Sequence, residues 1–267
     1  MPLSPEFPVN NEYQVPSYRI DWEAPKRTRH AIAVFVINEG ERIRRQLELM
    51  KHFVQHADII VADGGSTDGS LTTELMKSCS VSALLIKTGP GKLSAQMRMA
   101  FAYAMQKGYE GIVTIDGNGK DGVDAIPEFV RLLDEAWDHV QGSRFVPGGH
   151  HAHTPLSRLY ALKFLHAPLI SWAAGVRYTD TTNGFRAYSR RFLLDPRVQP
   201  FREIFVGYEL HYYLAIRAGK LGFRVCETPV SRVYPKEGPP PTKIQPLRGN
   251  WLVLKTLVRS LTDAYDP

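Results

Sequence analysis

The sequence has little cysteine. Cys79 and Cys226 are the only two in 267 residues, and they stand far apart with no CxxC spacing. A disulfide framework and a cysteine-ligated zinc site are therefore excluded as organising features. Two isolated thiols are compatible with a reducing compartment.

Long apolar runs are also missing. No stretch approaches the roughly 20 apolar residues that a membrane-spanning helix needs. The N-terminus lacks a charged segment followed by an apolar run, so a secretory signal is not expected. These absences predict a cytoplasmic protein, with a peripheral position on the inner face of the cytoplasmic membrane as the alternative.

The charge that is present is mainly basic. The net charge is +6, the isoelectric point is about 9.3, and 43% of the residues are apolar, which is enough for a sizeable core. A basic surface attracts nucleic acid, anionic lipid headgroups or phosphorylated substrates. No nucleic-acid reader motif and no platform of interleaved aromatic and basic residues occur, so nucleic acid is not an expected partner.

Short apolar blocks alternate with helical periodicity. The run 31–37 (AIAVFVI) predicts a buried strand, and Ile43, Leu47, Met50 and Val54 then fall on one face of a helix. The other predicted strands are 58–62, 81–86, 111–115, 139–143 and about 223–230. The other main predicted helices are 93–104, about 155–174, about 206–218 and 251–261. This order indicates an α/β protein with a mostly parallel central sheet covered by helices.

Polar residues follow three of the predicted strands. Asn38 and Glu39 follow the first, while Asp63 and Asp116 each end a strand and precede a glycine. Ligands of parallel sheets bind at the carboxyl ends of the strands, so these residues are expected to share one crevice. Helix capping is the competing role for the residues 66–68.

Seven motifs occur in order along residues 30–245. They are Asn38-Glu39; 63–68, DGGSTD; 116–118, DGN; 142–145, GSRF, with Gly148-Gly149; 180–186, DTTNGFR; Tyr208-Glu209 with 222–224 and 227–230; and 241–243, PTK. Together they resemble the family 2 glycosyltransferases, and most of all the dolichyl-phosphate mannose synthase branch. Two positions depart from the family pattern: Gly64 replaces an aspartate, and Asn118 replaces the second aspartate of the metal-binding DxD.

The resemblance implies a GT-A fold and inverting transfer of a sugar from a nucleotide-diphosphate donor, a GDP- or UDP-sugar. We expect an extended arm over 1–29, one GT-A domain with a Rossmann-like sheet over 30–237, and a tail with an amphipathic helix over 238–267. The predicted nucleotide-binding residues are Asn38, Glu39, Asp63 and Lys92. The predicted phosphate-binding residues are Arg144, Arg158, Arg186 and Lys243. The predicted catalytic residues are Asp116, Asp180 and Glu209.

A divalent cation, Mg²⁺ or Mn²⁺, is the expected cofactor. A diphosphate leaves readily only when its developing charge is neutralised, and a cation bridging the phosphates does this. Asp116 and Asn118 are the predicted metal ligands, because one carboxylate together with substrate phosphates can hold Mg²⁺. Loss of the second carboxylate alternatively indicates a weaker or inactive site. His150, His151 and His153 are interpreted as part of a mobile loop over the donor rather than as ligands.

The acceptor decides whether a general base is needed. A hydroxyl requires one, for which Glu209 is the candidate, whereas a phosphate monoester is already mostly dianionic at neutral pH. The resemblance and the basic charge favour polyprenyl phosphate, and hence a role in cell-envelope glycan or glycolipid synthesis. The helix at 251–261 is expected either to lie on a membrane or to pack on its own domain or a second subunit, as in a homodimer. The alternatives are a soluble or glycan hydroxyl acceptor and a catalytically silent protein that binds nucleotide sugars.

Overall fold

A single large sheet organises the chain. The computed structural model describes residues 13–236, 248–262 and 264–267. Eight strands lie in the order β1-β4-β3-β2-β5-β8-β6-β9, and a separate pair joins β10 to β7. The strands are β1 (Tyr18–Glu23), β2 (His30–Val36), β3 (Ala57–Asp63), β4 (Ala83–Lys87), β5 (Gly111–Asp116), β6 (His139–Ser143), β7 (His150–Ala152), β8 (Arg186–Ser189), β9 (Val225–Pro229) and β10 (Ser231–Val233).

Helices cover the sheet. They are α1 (Glu41–Met50), α2 (Thr73–Ser78), α3 (Leu93–Gln106), α4 (Ile126–Asp134), α5 (Leu156–Ala161), α6 (Ala167–Ala174), α7 (Arg190–Leu193), α8 (Glu209–Lys220) and α9 (Arg248–Leu261). One apolar cluster joins the sheet to α3 and α8, and a second joins its other face to α1, α2 and α4. The predicted α/β class, with a mostly parallel sheet between helices, is thus confirmed.

The central strands are parallel and fully buried. β2 lies between β3 and β5, and every residue of β2 and β3 is buried, as their mainly apolar runs predict. Val36 of β2 is paired with Asp63, and Phe35 is paired with Asp116 on the opposite side. The two aspartates therefore flank the end of one strand.

The N-terminal segment contributes an edge strand. β1 lies within the region predicted as an extended arm, and it pairs antiparallel with β4. The Trp22 indole nitrogen donates a hydrogen bond to the carbonyl oxygen of Val81 at 2.8 Å. Pro16 and Pro25 bracket this strand without interrupting its ladder, which is the edge position that proline tolerates.

The second half of the chain adds elements that the sequence patterns do not predict. β8 inserts antiparallel between β5 and β6, and β10 pairs in parallel with β7. His150 and His151, interpreted above as part of a mobile loop, belong to β7. The predicted helix at 155–174 consists of α5, a π-helical turn (Leu162–His166) and α6.

The C-terminal helix packs on the domain. α9 contacts α6 and α8, and Leu257 is fully buried within their apolar cluster. The sequence left open whether this helix lies on a membrane or packs on protein. Its described part packs on its own domain. Within the described ranges, no helix combines the length and apolarity needed to cross a bilayer.

Candidate active site

A cleft of about 580 Å³ opens at the carboxyl ends of β2, β3 and β5. Its wall includes Val36, Gly64 and Asp116, so the ends of all three strands contribute to it. The polar groups that follow these strands meet at one crevice, as their positions in sequence predict. A second hollow of about 540 Å³ lies elsewhere, between Tyr13 and the 193–202 segment.

Asp63 organises the turn beside the cleft. Its side chain is buried and accepts hydrogen bonds from the backbone nitrogen of Ser66 at 2.9 Å and from the Ser66 hydroxyl at 2.6 Å. Asn38 has a left-handed backbone (φ 49°), and its Oδ1 accepts a hydrogen bond from the Thr67 amide. These bonds join the turn after β2 to the turn after β3, so both are held in one conformation.

A glutamine accounts for the glycine at position 64. Gln96 on α3 donates hydrogen bonds to the carbonyl oxygens of Val36 at 2.9 Å and Ala62 at 3.1 Å. A Cβ atom at Gly64 would lie 3.0 Å from Gln96 Nε2 and 3.3 Å from Ile37 Cδ1. An aspartate there would require Gln96 to move. Gly64, which replaces an aspartate of the family pattern, therefore leaves room for the buried Gln96 side chain. The motif alone does not reveal this contact.

The turn that carries Asp116 is tightly packed. A Cβ atom at Gly117 would lie 2.8 Å from Val36 Cγ2 and 3.0 Å from the Phe35 carbonyl oxygen, so only glycine fits. The buried amide of Gln46 donates to the Asp116 carbonyl oxygen at 3.0 Å and accepts from the Gly119 amide at 2.8 Å. Gln46 thus holds the backbone of this turn in place, and the held backbone fixes the position of the Asp116 carboxylate.

An arginine from β10 joins two carboxylates at the cleft. Arg232 donates to Asp116 Oδ2 at 3.0 Å and to both oxygens of Asp121 at 2.9 and 3.0 Å. The side chains of Arg232 and Asp121 are 7% and 0% exposed, whereas 26% of the Asp116 side chain faces the cleft. Sequence reasoning missed Arg232, because 111 residues separate it from Asp121 and no local pattern connects them.

This cluster controls the charge of Asp116. Burial alone would raise the pKa of Asp116, but the positive charges of Arg232 and then Lys120 outweigh it, so the pKa lies below its usual range. The pKa of Asp121 is raised, because burial and the nearby charge of Asp116 exceed the effect of Arg232. Burial lowers the pKa of Lys120. Asp116 is accordingly the carboxylate that is held ionised at the cleft surface.

Asp116 has one carboxylate oxygen that could hold a divalent cation. Asn118 and Arg232 both donate to Oδ2, whereas Oδ1 lies beside Gly184, where an added Cβ atom would be 3.1 Å away. No group of three or more His, Cys, Asp or Glu suited to a metal occurs among the described residues. One carboxylate oxygen next to an amide side chain matches a cation that takes its remaining ligands from water and substrate phosphates.

Two predicted phosphate-binding arginines have other partners. Arg144 forms a two-point ion pair with Asp180, at 2.6 and 2.9 Å, and both side chains are buried. Arg186 donates to the carbonyl oxygens of Asn183, His211 and Thr181 at 2.6 to 2.9 Å. The guanidinium of Arg186 is therefore used to hold the surrounding loops, and a role in phosphate binding is not supported. The Asp180 carboxylate pairs with Arg144 and accepts a hydrogen bond from the Thr182 amide, so it holds this loop in place.

Glu209 does not line the cleft. It begins α8, and its carboxylate accepts a hydrogen bond from the Gly207 amide at 2.5 Å. Its neighbour Tyr208 lines the cleft, whereas Glu209 is not part of the cleft wall. A general base at Glu209 is not supported by this conformation. Lys243 lies outside the described residues.

Lys92 and Arg158, which the sequence predicts near the donor, line the cleft. Three cations outside that prediction, the buried Lys87, Lys120 and Arg232, also belong to its wall. Asn38 and Glu39 line it too, and Glu39 forms an ion pair with Arg42 at 2.8 Å. The cleft is therefore strongly basic, which suits an anionic ligand.

Three buried polar atoms of residues in the wall have no protein partner among the described residues. They are the hydroxyls of Thr154 and Thr181 and the Nδ1 atom of His211. Burial and the positive charge of Arg186 lower the pKa of His211 well below its usual value, so its imidazole is neutral. Buried groups without partners at the floor of a cleft are available to a bound ligand.

Known proteins were compared with the chain as a whole. No family model matches it. Undecaprenyl-phosphate mannosyltransferase of Micrococcus luteus is 29% identical, over 73% of this chain and 80% of that protein. Polyprenol monophosphomannose synthase of Mycolicibacterium smegmatis is 28% identical, over 76% and 77%. Glucosyl-3-phosphoglycerate synthase of Mycobacterium tuberculosis, solved with Mn²⁺ and UDP, superimposes with a TM-score of 0.60 at 16% identity, over 88% of this chain and 78% of that one.

The fold is that of the GT-A glycosyltransferases, and a basic cleft lies at its strand ends. Both bacterial relatives span most of the chain and share the branch that the ordered motifs indicate. The chain is similar to the family 2 glycosyltransferases of the dolichyl-phosphate mannose synthase type.

Proposed function

We propose that this protein transfers a sugar, with inversion, from a nucleotide-diphosphate donor to the phosphate of a polyprenyl phosphate. The names of the two bacterial relatives support this acceptor, and one of them is a mannosyltransferase. The product would be a lipid-linked sugar for cell-envelope glycan or glycolipid synthesis. A GDP- or a UDP-sugar is the expected donor.

The balance of charge in the cleft is the observation that carries the proposal. Its wall contains seven Lys and Arg side chains but only two carboxylates, Glu39 and Asp116. Glu39 is paired with Arg42 and Asp116 with Arg232. Neither is placed as a free general base. A phosphate acceptor needs no base, because at neutral pH it is already a strong anionic nucleophile.

The nucleotide would lie over the ends of β2 and β3. Asn38, Glu39 and Lys92 line that part of the cleft, and Asp63 holds the turn beneath it. Arg158 and Lys120 face the same hollow and would neutralise phosphate oxygens. Arg232 would place a further positive charge beside Asp116, where the diphosphate must be held.

We further propose that Mg²⁺ or Mn²⁺ binds at Asp116, with Asn118 as a direct or water-mediated partner. Structures of the M. tuberculosis synthase contain UDP together with Mn²⁺ or Mg²⁺, which supports this choice. A bound cation would neutralise the charge that develops on the departing diphosphate. The protein's part is to keep Asp116 ionised, through Arg232 and Lys120, and to fix its position through Gln46 and Gly117.

A hydroxyl acceptor is the competing function. It would require a base, and the neutral His211 in the cleft wall is a poor one because its pKa is so low. Glu209 would have to turn away from the Gly207 amide before it could serve. The arrangement therefore favours the phosphate acceptor.

The test compares two lipids that differ only in the phosphate. Purified protein is incubated with radiolabelled GDP-mannose or UDP-sugars, a divalent cation, and either undecaprenyl phosphate or undecaprenol in detergent. We expect a chromatographically separable lipid-linked sugar from undecaprenyl phosphate only, with its anomeric configuration opposite to that of the donor. Chelation should abolish its formation.

Glu209→Gln separates the two functions further. Under the phosphate-acceptor proposal this variant keeps most of the wild-type rate, whereas a general base would contribute about 10²- to 10⁴-fold. Transfer to undecaprenol, or to a soluble glycan, at a rate that Glu209→Gln reduces by this factor would overturn the proposal. Donor binding without any transfer would instead identify a silent binding protein.

A further inference from the structure

A buried glutamine occupies the space in front of Gly64, at the end of β3. An added Cβ atom on Gly64 would lie 3.0 Å from Gln96 Nε2 and 3.2 Å from Gln96 Cδ. The amide of Gln96, which comes from α3, therefore fills the space into which a side chain at position 64 would project. Gln96 is 5% exposed and belongs to the cleft wall. A ligand over this strand end would thus meet Gln96.

The orientation of this amide is fixed by its partners. Its Nε2 atom donates to the carbonyl oxygens of Val36, at the end of β2, and Ala62, in β3. A carbonyl oxygen only accepts, so the nitrogen of the amide, and not its oxygen, must face the two strands. Among the described residues, no group donates to Gln96 Oε1. This oxygen is the polar atom that remains for a ligand in the cleft, and it can only accept a hydrogen bond.

A hydrogen-bond donor lies at the end of a neighbouring strand. Lys87 is the last residue of β4, lines the same cleft and is buried. Its Nζ atom uses one of its three N–H groups on the carbonyl oxygen of Gly89, at 2.6 Å. Asp63, on β3, accepts hydrogen bonds from Ser66 and is not part of the cleft wall. The wall here therefore presents an acceptor from Gln96 and a donor from Lys87.

The wall beside Gln96 also has apolar side chains against which a flat ring can pack. An added Cβ atom on Gly64 would lie 3.3 Å from Ile37 Cδ1, so Ile37 borders the Gln96 amide. Ile37 is 38% exposed, and both it and Leu93, at the start of α3, belong to the cleft wall. Small-molecule sites combine apolar walls with a few polar groups that fix orientation. A nucleobase, which is a flat ring with polar atoms on its edge, fits this combination.

We propose that Gln96, with Lys87 beside it, selects a donor nucleotide whose base carries a ring N–H next to a ring carbonyl. The inference rests on the proposed function, which places a nucleotide over the ends of β2 and β3. Uracil and guanine both carry this pair, so the N–H would donate to Gln96 Oε1 and the carbonyl oxygen would accept from Lys87 Nζ. Cytosine and adenine carry an unprotonated ring nitrogen next to an amino group. In the same position these bases would set acceptor against acceptor and donor against donor.

The test compares nucleoside diphosphates that differ only in the base. Calorimetry with the full-length protein measures the Kd values of UDP, GDP, CDP and ADP, and of inorganic pyrophosphate as a ligand without a base. We expect UDP or GDP to bind about tenfold or more tightly than CDP and ADP, because a mismatched base leaves the Gln96 oxygen unpaired. N3-methyl-UDP or N1-methyl-GDP, which lacks the ring N–H, should lose this advantage. The methylated ligands require no variant, so this arm is independent of any effect of substitution on folding.

A variant then assigns the preference to one side chain. Gln96→Met keeps the length of the side chain but removes the amide, so the preference for UDP or GDP should fall to about twofold or less. Pyrophosphate should bind this variant as it binds the wild type, which a general loss of structure would not allow. Gln106→Met, at an exposed glutamine of the same helix, is the matched control and should keep the full preference. Lys87→Met should narrow the preference as well.

The outcomes separate this inference from the function on which it rests. Equal wild-type affinity for the four diphosphates would overturn base selection and leave sugar transfer to polyprenyl phosphate standing. A preference that survives in Gln96→Met, with pyrophosphate binding intact, would assign the base to another acceptor such as Asp63 and overturn the inference too. A base preference that depends on Gln96 in a protein that transfers no sugar to undecaprenyl phosphate would support the inference and overturn the proposed acceptor. Absence of binding by any diphosphate would overturn both.

Discussion

At the scale of single residues, the cluster of Asp116, Arg232 and Asp121 decides what the cleft can bind. The Arg232 guanidinium pairs both with Asp116, which faces the cleft, and with Asp121, which is fully buried. The buried pair fixes the arginine, and the fixed arginine keeps Asp116 ionised. The charge that a metal or a diphosphate would meet is therefore set by residues behind the surface.

Removing Arg232 should destabilise the protein strongly. Arg232→Met leaves Asp121 buried without its cation, which typically costs about 3–5 kcal/mol. The free energy of unfolding in urea measures this loss. Arg232→Met/Asp121→Asn should recover a substantial part of it, because the unpaired charge is then gone. Simple additivity of the two single-variant costs would show that the pair is not coupled.

Asp116→Asn should remove the metal site without unfolding the protein. The amide retains the size of the carboxylate but loses its charge, so Mn²⁺ binding in the presence of UDP or GDP should weaken by about tenfold or more. Calorimetry or the paramagnetic resonance of free Mn²⁺ measures this. Asp195→Asn removes a partly buried carboxylate that pairs with Arg197, outside the cleft wall, and serves as the control. Unchanged Mn²⁺ affinity in Asp116→Asn would exclude the proposed site.

At the scale of elements, the sequence patterns identified the regular βα units but not the connections between distant segments. β2, β3 and β5 are mainly apolar runs, and β6 was predicted with the observed bounds, 139–143. β8 is four residues long and β10 three, too short for a periodic pattern to emerge. β1 lies in a proline-rich segment, and its assignment depends on β4, more than sixty residues away. The partners of Arg144, Arg186 and Arg232 follow from these pairings, which explains why the site was predicted only in part.

Asp58 shows how a buried side chain joins several elements. Its carboxylate, on β3, accepts hydrogen bonds from the Arg27 and Thr28 amides, at 2.8 and 3.1 Å, which lie between β1 and β2. It also accepts from the Tyr109 hydroxyl, before β5, at 3.0 Å. Burial alone would raise the pKa of Asp58, but these hydrogen bonds, with those from Ser82 and the Arg27 side chain, lower it below its usual value.

The lowered pKa predicts a pH-dependent loss of stability in Asp58→Asn. A group with a lowered folded pKa stabilises above its unfolded pKa, about 3.9, and this contribution disappears as the pH falls through the folded value. The variant should therefore be about 2–3 kcal/mol less stable at neutral pH, with the difference narrowing below about pH 4. Urea unfolding from pH 7 to pH 3 measures this. Asp21→Asn, at an exposed pair with Arg19, should show little effect at any pH.

At the scale of the whole molecule, the net charge of +6 is reflected in the cleft, where seven Lys and Arg side chains accompany two carboxylates. Two of the seven, Arg144 and Arg158, come from the stretch between Asp138 and Asp180, which contains no acidic residue. This excess of positive charge attracts a nucleotide through its phosphates.

Nucleotide binding should be visible as stabilisation of the whole fold. A ligand at 100 times its dissociation constant adds about 2.7 kcal/mol, and for a chain of this size each kcal/mol raises Tm by about 2–4 °C. We therefore expect a clear rise in Tm with GDP or UDP, larger in the presence of Mn²⁺, in a panel that also contains CMP and dTDP. In Asp116→Asn the additional rise with Mn²⁺ should vanish, while a smaller nucleotide effect persists through the groups at the ends of β2 and β3. A rise that is equal for all four nucleotides and insensitive to Mn²⁺ would mean that phosphate charge alone is bound, which is incompatible with a donor site built around Asp116.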